Sequence, residues 1–170
     1  MKEIQKTTPL RGFGYESPRM GKDEWLTPPH VFRNLGTFDL DPCAPINRPW
    51  DTARRHLTVV DDGLAHPWAG RVWLNPPYGR ALAAWMQRMA AHNDGTALIF
   101  ARTETAMFFD CVWSVATAVF FLRGRLTFLN VDGSKPVATA GSPSVLVAYG
   151  RKDADWLRGC ELPGKFISLR

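Results

Sequence analysis

The chain has 170 residues, of which 45% are hydrophobic and 22% charged, a composition that excludes a wholly disordered protein and fits one compact domain. No run of about eighteen apolar residues is present, and the first residues lack the apolar core of a signal peptide, so we expect a cytoplasmic protein without a membrane partner. The net charge of +5 favours a polyanionic partner, because neutralising phosphates releases counterions.

The first 22 residues are predicted to form a basic arm, and residues 23–170 a single domain. Such an arm can lie along phosphates or can be a frayed terminus, and the sequence leaves both interpretations open. Its basic residues are Lys2, Lys6, Arg11, Arg19 and Lys22.

The first half of the domain alternates short helices and strands. Thr27 as N-cap and Pro28 in the first turn predict a short helix over residues 28–35. Strands are expected over residues 37–41, within 54–60 and over 71–74. The first of these strands ends at Asp41, and the third leads directly into Asn75.

The second half of the chain continues this alternation. Four apolar residues recur at helical spacing, namely Leu82, Trp85, Met86 and Met89. Gly95 then separates their helix from the next strand. The expected elements are a helix over residues 80–92, a strand over 96–100, a helix over about 104–115 and a strand over 118–122.

A final pair of strands completes the predicted fold. Residues 125–129 and 144–149 are separated by a Gly- and Pro-rich loop, which favours a hairpin-like antiparallel pair. The alternation before this pair predicts an α/β domain with a mainly parallel sheet. Ligands bind such sheets at the carboxyl ends of the strands, where Asp41 and Asn75 are expected.

The cysteines and histidines do not follow a metal-binding pattern. Cys43, Cys111 and Cys160 are widely spaced, and each of the four histidines stands alone in the sequence. Paired Cys-x-x-Cys or Cys/His spacing would be needed for a zinc site. We therefore expect no metal and no disulfide framework.

The most informative segment is the tetrapeptide NPPY at residues 75–78. The Asn75 side-chain oxygen and the Pro76 carbonyl can accept the two N–H groups of an exocyclic adenine amine, which frees the nitrogen lone pair for attack. Pro76 and Pro77 fix φ, so that carbonyl is aimed in advance. The Tyr78 ring offers a face to an extruded base. A merely rigid turn is the alternative interpretation, but the position between a strand and a helix favours a catalytic role.

Seven segments occur in the same order as in a known family. They are DEWLTPP at 23–29, FDLDPCA at 38–44, DGL at 62–64 with Trp68, VWLNPPYGR at 72–80, ARTET at 101–105, RGRLTF at 123–128 and PSVLV at 143–147. Through these segments the chain resembles the phage-type DNA N-6-adenine-methyltransferase (Dam) family from residue 23 to about residue 149.

The resemblance implies a Rossmann-like S-adenosylmethionine-dependent methyltransferase fold, S-adenosylmethionine as cofactor and adenine in DNA as substrate. Catalysis would belong to Asn75, Pro76, Pro77 and Tyr78. The positions that match the family's cofactor segments are Trp25, Thr27, Pro28, Asp39, Asp41 and Asp62. Asp41 is favoured over Asp39 for the cofactor's ammonium group because it lies nearer the strand end. A helix cap and an ordinary Asp-Gly turn are the alternative roles for these acidic residues.

The resemblance also implies residues that contact DNA. Those matching positions for phosphates or base edges are Arg80, Arg102, Arg123 and Arg125, although isolated arginines are usually solvated. Residues 39–46 contain no glycine, so cofactor contacts are expected from side chains more than from the backbone. No insertion is long enough for a separate target-recognition domain, and residues 130–143 are the expected reader of the DNA sequence.

Other functions share parts of this pattern. Methyltransferases that act on RNA or on a protein glutamine also carry NPPY, but they generally have a Gly-rich first loop. A nucleic-acid-binding protein that has lost the chemistry would often have lost Asn75 or Tyr78. A dinucleotide-binding oxidoreductase needs a Gly-x-Gly-x-x-Gly fingerprint, which the first strand lacks. The recognised DNA site, the oligomeric state and a role such as protecting phage DNA from restriction stay open.

Overall fold

The computed structural model describes residues 25–136 and 140–170, so the predicted basic arm over residues 1–22 lies outside the described residues. The elements in chain order are α1 Pro29–Phe32, β1 Leu40–Asp41, β2 Arg55–His56, β3 Val72–Leu74, α2 Leu82–His92, β4 Gly95–Phe100, α3 Ala106–Phe108, β5 Ala118–Leu122, β6 Ser144–Tyr149, α4 Arg151–Gly159 and β7 Gly164–Ser168. α3 continues as a π-helical turn over Phe109–Trp113. None of the helices within the described ranges is long and apolar enough to cross a membrane.

In the described part of the chain, seven strands form one sheet in the order β2-β1-β3-β4-β6-β5-β7. β2, β1, β3 and β4 pair in parallel, whereas β6 is antiparallel to β4 and β5, and β7 is antiparallel to β5. Strands β1 to β5 therefore all run in one direction. Their last residues lie along one edge of the sheet, which we call the carboxyl edge. They are Asp41, His56, Leu74, Phe100 and Leu122.

Helices cover both faces of the sheet. α2 and the π-helical turn pack on one face through buried residues such as Met86 and Val112. α1 and α4 pack on the other face through Val31 and Leu157. Because both faces are covered, β4 and β6 are buried almost throughout and are apolar along their length instead of alternating.

Most of the predicted elements are confirmed, with shorter ends. Strands are present in all three predicted regions of the first half, but β1 and β2 have only two residues each. α2 and β5 match the predictions closely, and β4 begins at Gly95. The helix predicted over about 104–115 is only partly α-helical, because its second half has the wider π-helical pattern.

The predicted cap of α1 is wrong. The residue before the helix is Pro28, and no side chain caps the N-terminus. The Thr27 hydroxyl is buried and has no hydrogen-bond partner among the described residues. A proline at N1 already lacks the N–H that a cap would satisfy, which leaves Thr27 free for another role.

The predicted hairpin-like pair over 125–129 and 144–149 is also wrong. In the first of these segments only Leu129 forms a bridge, and its partner is Leu26. β6 instead lies between β4 and β5. The prediction also missed α4 and β7, and the sheet has as many antiparallel as parallel pairings in the described residues, instead of being mainly parallel.

A buried ion pair ties α4 to the opposite edge of the sheet. Arg71 precedes β3, and its Nη2 lies 2.8 Å from Oδ1 of Asp153 in α4, with both side chains almost fully buried. Thr96 Oγ1 donates a hydrogen bond to the same carboxylate at 2.5 Å. The Arg71 guanidinium also lies 4.0 Å from the centre of the Phe38 ring. This network fixes the sheet at the end away from the carboxyl edge.

Candidate active site

The NPPY turn begins where β3 ends. β3 is fully buried in the sheet, and half-buried Asn75 follows immediately on the carboxyl edge. Pro76 is buried, and among the described residues no donor reaches its carbonyl oxygen. The chain then passes through Gly79, at φ 120°, before α2 begins at Leu82. The structure thus places the tetrapeptide between strand and helix, as the sequence predicts.

One hydrogen bond within the described residues orients the Asn75 side-chain amide. Its Nδ2 donates to the backbone carbonyl oxygen of Trp25 at 3.2 Å. Its Oδ1 is buried and has no partner within the described residues. A buried acceptor without a donor costs about 1–3 kcal/mol, and such groups call for a functional explanation. Asn75 therefore presents a buried side-chain oxygen that is held in one orientation and accepts no hydrogen bond from the described residues.

Cys43 links Asn75 to the end of β1. The Cys43 thiol donates to the Asn75 backbone carbonyl at 3.1 Å, and the Cys43 N–H donates to Asp41 Oδ1, also at 3.1 Å. Together with the Asn75–Trp25 bond, these contacts form one chain of hydrogen bonds across the carboxyl edge. Three residues predicted from the sequence, Trp25, Asp41 and Asn75, are thereby brought together through one that was not predicted.

Asp41 is almost completely buried and has its own partners. Besides the Cys43 N–H, the hydroxyl of Thr52 donates to Asp41 Oδ2. Burial raises the pKa of Asp41 from its ordinary value of 3.8 to about 6, against the opposing effects of the Thr52 and Cys43 hydrogen bonds and of nearby Arg48. A carboxylate held in this way gains from a cationic ligand, because a nearby positive charge offsets the cost of its burial.

Asp39 does not join this group. Its Oδ2 accepts from the backbone N–H of Arg71 at 2.9 Å, and its Oδ1 lies 3.4 Å from Arg54 Nη1. Because Arg71 precedes β3, Asp39 lies toward the opposite edge of the sheet from Asn75. Both oxygens of the Asp39 carboxylate therefore have partners within the protein, without a ligand.

Tyr78 is packed against the end of β4. Its ring stacks on that of Phe100, with centroids 4.1 Å apart and planes at 15°. Its hydroxyl is buried without a partner in the described ranges, and burial raises the pKa of Tyr78, which keeps the hydroxyl protonated. Phe100 covers one face of the ring, so only the opposite face is left for a base.

Asp62 lies on the loop that follows β2, at the same edge as Asp41. It is exposed and adopts φ 52°, a conformation that Asp and Asn tolerate better than most residues. Its neighbour Gly63 packs against the turn after β1, where a Cβ would lie 1.8 Å from the carbonyl oxygen of Pro42. Close packing of the two loops thus brings Asp62 near the end of β1.

The segment before α1 covers the site and is itself held in place. Leu26 exchanges two backbone hydrogen bonds of 2.9 Å with Leu129, and Pro28 is buried. Several buried side-chain atoms around this segment and the neighbouring strand ends lack partners in the described part of the chain. They are Trp25 Nε1, Thr27 Oγ1, Asn75 Oδ1, Tyr78 OH and Ser144 Oγ. Because buried polar atoms are normally satisfied, this group fits a polar ligand with several donors and acceptors.

The four predicted DNA-contacting arginines lie along the same edge. Arg80 follows the NPPY turn, Arg102 follows β4, and Arg123 and Arg125 follow β5. All four are exposed, and no carboxylate of the described residues lies within ion-pair distance of any of them. Arg123 and Arg125 also line a cleft of about 210 Å³ with residues of α1. As far as the described residues are concerned, they are therefore available to contact a polyanion.

Sequence reasoning missed four residues of the site, namely Cys43, Thr52, Phe100 and Ser144. Cys43 and Asp41 are two residues apart, and this spacing alone could have suggested an Asp side chain that accepts a backbone N–H at the end of a strand. The other three depend on contacts with distant parts of the chain. Within residues 25–136 and 140–170, no cluster of three or more His, Cys, Asp and Glu is grouped to hold a metal ion.

Comparison with known families decides the assignment. The family model described as DNA N-6-adenine-methyltransferase (Dam) matches residues 15–155. The chain belongs to the Dam family. No curated protein and no solved structure matches the chain. The Dam match includes Trp25, Asp41 and the NPPY turn, and it ends within α4, so that β7 lies beyond it. Membership of the Dam family makes the chain a methyltransferase.

Among the candidate site residues of this Dam-family protein, the carboxylates and the arginines follow different strands of the carboxyl edge. Asp41 and Asp62 lie on the side of β1 and β2, whereas the four arginines follow β3, β4 and β5. Asn75 lies between the two groups, at the end of β3. Among these candidate residues, the side of β1 and β2 is acidic and the side of β3, β4 and β5 is basic; Arg48 also lies near Asp41.

Proposed function

We propose that the chain transfers a methyl group from S-adenosylmethionine to the exocyclic N6 amine of adenine in DNA, on a Rossmann-like methyltransferase fold. The observation that carries this proposal is the buried Asn75 Oδ1, which is oriented by the bond to Trp25 and has no donor among the described residues. Membership of the Dam family supports the choice of adenine and DNA.

The NPPY turn supplies the acceptors that the amine needs. Asn75 Oδ1 and the Pro76 carbonyl oxygen are both without donors in the described part of the chain. Each can accept one N–H of the amine, which draws the nitrogen toward tetrahedral geometry and makes its lone pair available. Preorganised acceptors lower the activation barrier because they need not reorient during the reaction.

The acidic side of the edge fits the cofactor. Asp41 would accept hydrogen bonds from its ammonium group, and the unpartnered Thr27 hydroxyl and Trp25 Nε1 would hold its other polar groups, with Pro28 packed beside them. Asp62 is exposed on the neighbouring loop and would take the ribose hydroxyls. When bound, the cofactor supplies an activated methyl group on a sulfonium leaving group. Asp39 is not assigned to the cofactor, because its carboxylate accepts a hydrogen bond from the Arg71 backbone N–H and lies near Arg54.

The basic side of the edge fits DNA. Arg80, Arg102, Arg123 and Arg125 are exposed and unpaired in the described ranges, so they can neutralise phosphates. An adenine must leave the base stack to reach a buried amide oxygen. The face of Tyr78 that Phe100 does not cover would stack on the extruded base.

Substitution of Asn75 tests the proposal. Wild type and Asn75→Ala are incubated with S-adenosylmethionine and unmethylated DNA, and the digested nucleosides are quantified by mass spectrometry. We expect N6-methyladenine from wild type and a loss of at least about 100-fold in Asn75→Ala, as for the removal of one preorganised transition-state contact. Binding of S-adenosylhomocysteine should persist in the variant, because the amine alone uses Oδ1.

The same assay on other substrates distinguishes the competing functions. Methylation of RNA or of a glutamine peptide, with none of DNA, would contradict the proposed substrate. Failure of wild type to bind either S-adenosylmethionine or S-adenosylhomocysteine would contradict the transferase activity. Equal activity of wild type and Asn75→Ala would show that the catalytic site lies elsewhere.

A further inference from the structure

Asn75 is held at two points, one on its side chain and one on its backbone. Nδ2 donates to the Trp25 carbonyl at 3.2 Å, and the backbone carbonyl accepts from the Cys43 thiol at 3.1 Å. The first bond orients Oδ1. The second holds the peptide group that joins Asn75 to Pro76.

We propose that Cys43 is a positioning residue for methyl transfer, acting through its thiol hydrogen bond to the Asn75 carbonyl. This inference rests on the proposed function, because Cys43 would help to orient the two acceptors that hold the amine. Cys43 itself does not touch the substrate.

The covalent structure of the turn explains how this bond reaches the second acceptor. The peptide group between Asn75 and Pro76 is planar, and the Pro76 ring fixes φ near −65°. Fixing the Asn75 carbonyl therefore fixes this plane and, through φ, the position of the Pro76 carbonyl carbon. Because Pro77 follows, ψ of Pro76 is restricted to the extended region, so the direction of the Pro76 carbonyl is restricted as well. With the Trp25 bond on the side chain, both amine acceptors are constrained before the substrate arrives. A misplacement of about 1 Å at such contacts can lower the reaction rate by about 100-fold.

The surroundings of Cys43 suit a hydrogen-bond donor and do not suit a nucleophile. Cys43 is half-buried between the end of β1 and the NPPY turn, next to buried Asp41 and half-buried Tyr78. Burial and the neighbouring Asp41 raise the pKa of Cys43 well above its ordinary value, so the proton stays on sulfur. A protonated thiol is available to donate, whereas reactivity would need the thiolate.

Two matched pairs of variants test this role. Cys43→Ser and Cys43→Thr keep a hydroxyl donor, whereas Cys43→Ala and Cys43→Val remove it, and Thr and Val have nearly the same shape. Methyl transfer is measured in single turnovers at saturating DNA and S-adenosylmethionine. We expect the rate to fall about fivefold in Cys43→Ala and Cys43→Val, which is the effect of losing one hydrogen bond. In Cys43→Ser and Cys43→Thr the rate should stay within about twofold of wild type. The KM for DNA and the Kd for S-adenosylhomocysteine should stay unchanged.

Cys160 provides the matched control. Its thiol donates to the Leu157 carbonyl at 3.2 Å, the same kind of bond, at the end of α4 and separate from the hydrogen bonds of Asn75. Cys160→Ala should therefore lose a thiol–carbonyl bond and leave the transfer rate at the wild-type value.

A spectroscopic measurement on the protein without cofactor reports the bond directly. Asn75–Pro76 is the sole Asn–Pro step in the sequence. Labelling asparagine with ¹³C at the carbonyl and proline with ¹⁵N thus selects the Asn75 carbonyl in an NMR spectrum. We expect its ¹³C resonance to move upfield in Cys43→Ala and Cys43→Val, and to stay near the wild-type position in Cys43→Ser and Cys43→Thr.

The outcomes separate this inference from the proposed function. Equal transfer rates in Cys43→Val and Cys43→Thr would overturn the positioning role. Weaker binding of S-adenosylhomocysteine without a change in the transfer rate would overturn it as well. A ¹³C resonance that stays at the wild-type position in both Cys43→Ala and Cys43→Val would also overturn the positioning role. If wild type methylated no DNA, the proposed function would fail, and the NMR comparison would still decide whether the Cys43 bond exists.

Discussion

Two opposing effects act on the charge of Asp41. Burial favours the neutral carboxyl group, whereas binding of a cationic cofactor would favour the carboxylate. Its pKa is raised from 3.8 to about 6 by burial, so the folded protein binds a proton that the unfolded chain has already released between these values. Ionisation of Asp41 therefore lowers the free energy of unfolding as the pH rises from about 4 to about 6, and the full penalty is present above that range.

Asp41→Asn should remove this penalty together with the charge. The free energy of unfolding of the variant, relative to wild type, should be higher at pH 8 than at pH 4 by roughly 2–3 kcal/mol, the value of about two pKa units. Urea denaturation of both proteins at the two pH values measures the difference. Binding of S-adenosylmethionine at pH 8 should be at least about tenfold weaker in Asp41→Asn. Parallel stability curves for the two proteins would contradict the raised pKa.

Single residues were predictable where the chemistry alone demands them. The need for acceptors beside an adenine amine selects Asn75, and the end of a strand selects Asp41. The separation of Asp39 from this group was not predictable, because it depends on the backbone N–H of Arg71, 32 residues away. The role of Cys43 also depends on a partner 32 residues away. Thr27 was expected to cap a helix, but its hydroxyl caps none and has no hydrogen-bond partner among the described residues.

At the scale of elements, α4 depends on a buried ion pair that the sequence pattern does not reveal. Arg71 and Asp153 are both almost fully buried, and Asp153 also accepts from Thr96. Removing one partner leaves an uncompensated charge in the interior. Asp153→Ala should therefore lower the free energy of unfolding by about 3–5 kcal/mol, measured by chemical denaturation.

Asp155 supplies the control on the same helix. It is exposed, and its Oδ1 lies 3.9 Å from Nη1 of Arg158. Exposed pairs of this kind contribute about 0–1 kcal/mol, so Asp155→Ala should leave stability nearly unchanged. Similar losses in the two variants would show that the Arg71 pair adds nothing beyond surface charge.

The elements differed in how far local sequence could specify them. α2 was predictable because its apolar residues recur at helical spacing, and β5 because its apolar run has clear ends. The order of the strands was not, since β6 enters between β4 and β5 through pairings with residues far away in the chain. β7 escaped prediction because it is mostly exposed and lacks an apolar run. The short strands β1 and β2 are defined by their neighbours more than by their own residues.

For the molecule as a whole, the exposed arginines along the carboxyl edge predict where DNA binds. Arg123→Ala and Arg125→Ala should weaken DNA binding and reduce the slope of log K against log salt by about 0.9 for each lost phosphate contact. Fluorescence anisotropy over a range of salt concentrations measures both quantities. Arg151→Ala is the control, because Arg151 is exposed after β6, at the opposite edge of the sheet. Equal effects of Arg151→Ala and the other two would mean that DNA does not bind along the carboxyl edge.

The hydrogen bonds of Asn75 also bear on when the proposed active site forms during folding. Its two partners are 50 and 32 residues away in the sequence, and Trp25 itself belongs to a segment paired with Leu129. Contacts of such long range form late, because distant parts of the chain must first be brought together. The proposed active site is thus a property of the completed chain topology, and a nascent chain that has exposed only the NPPY strand and its helix holds the motif without the geometry.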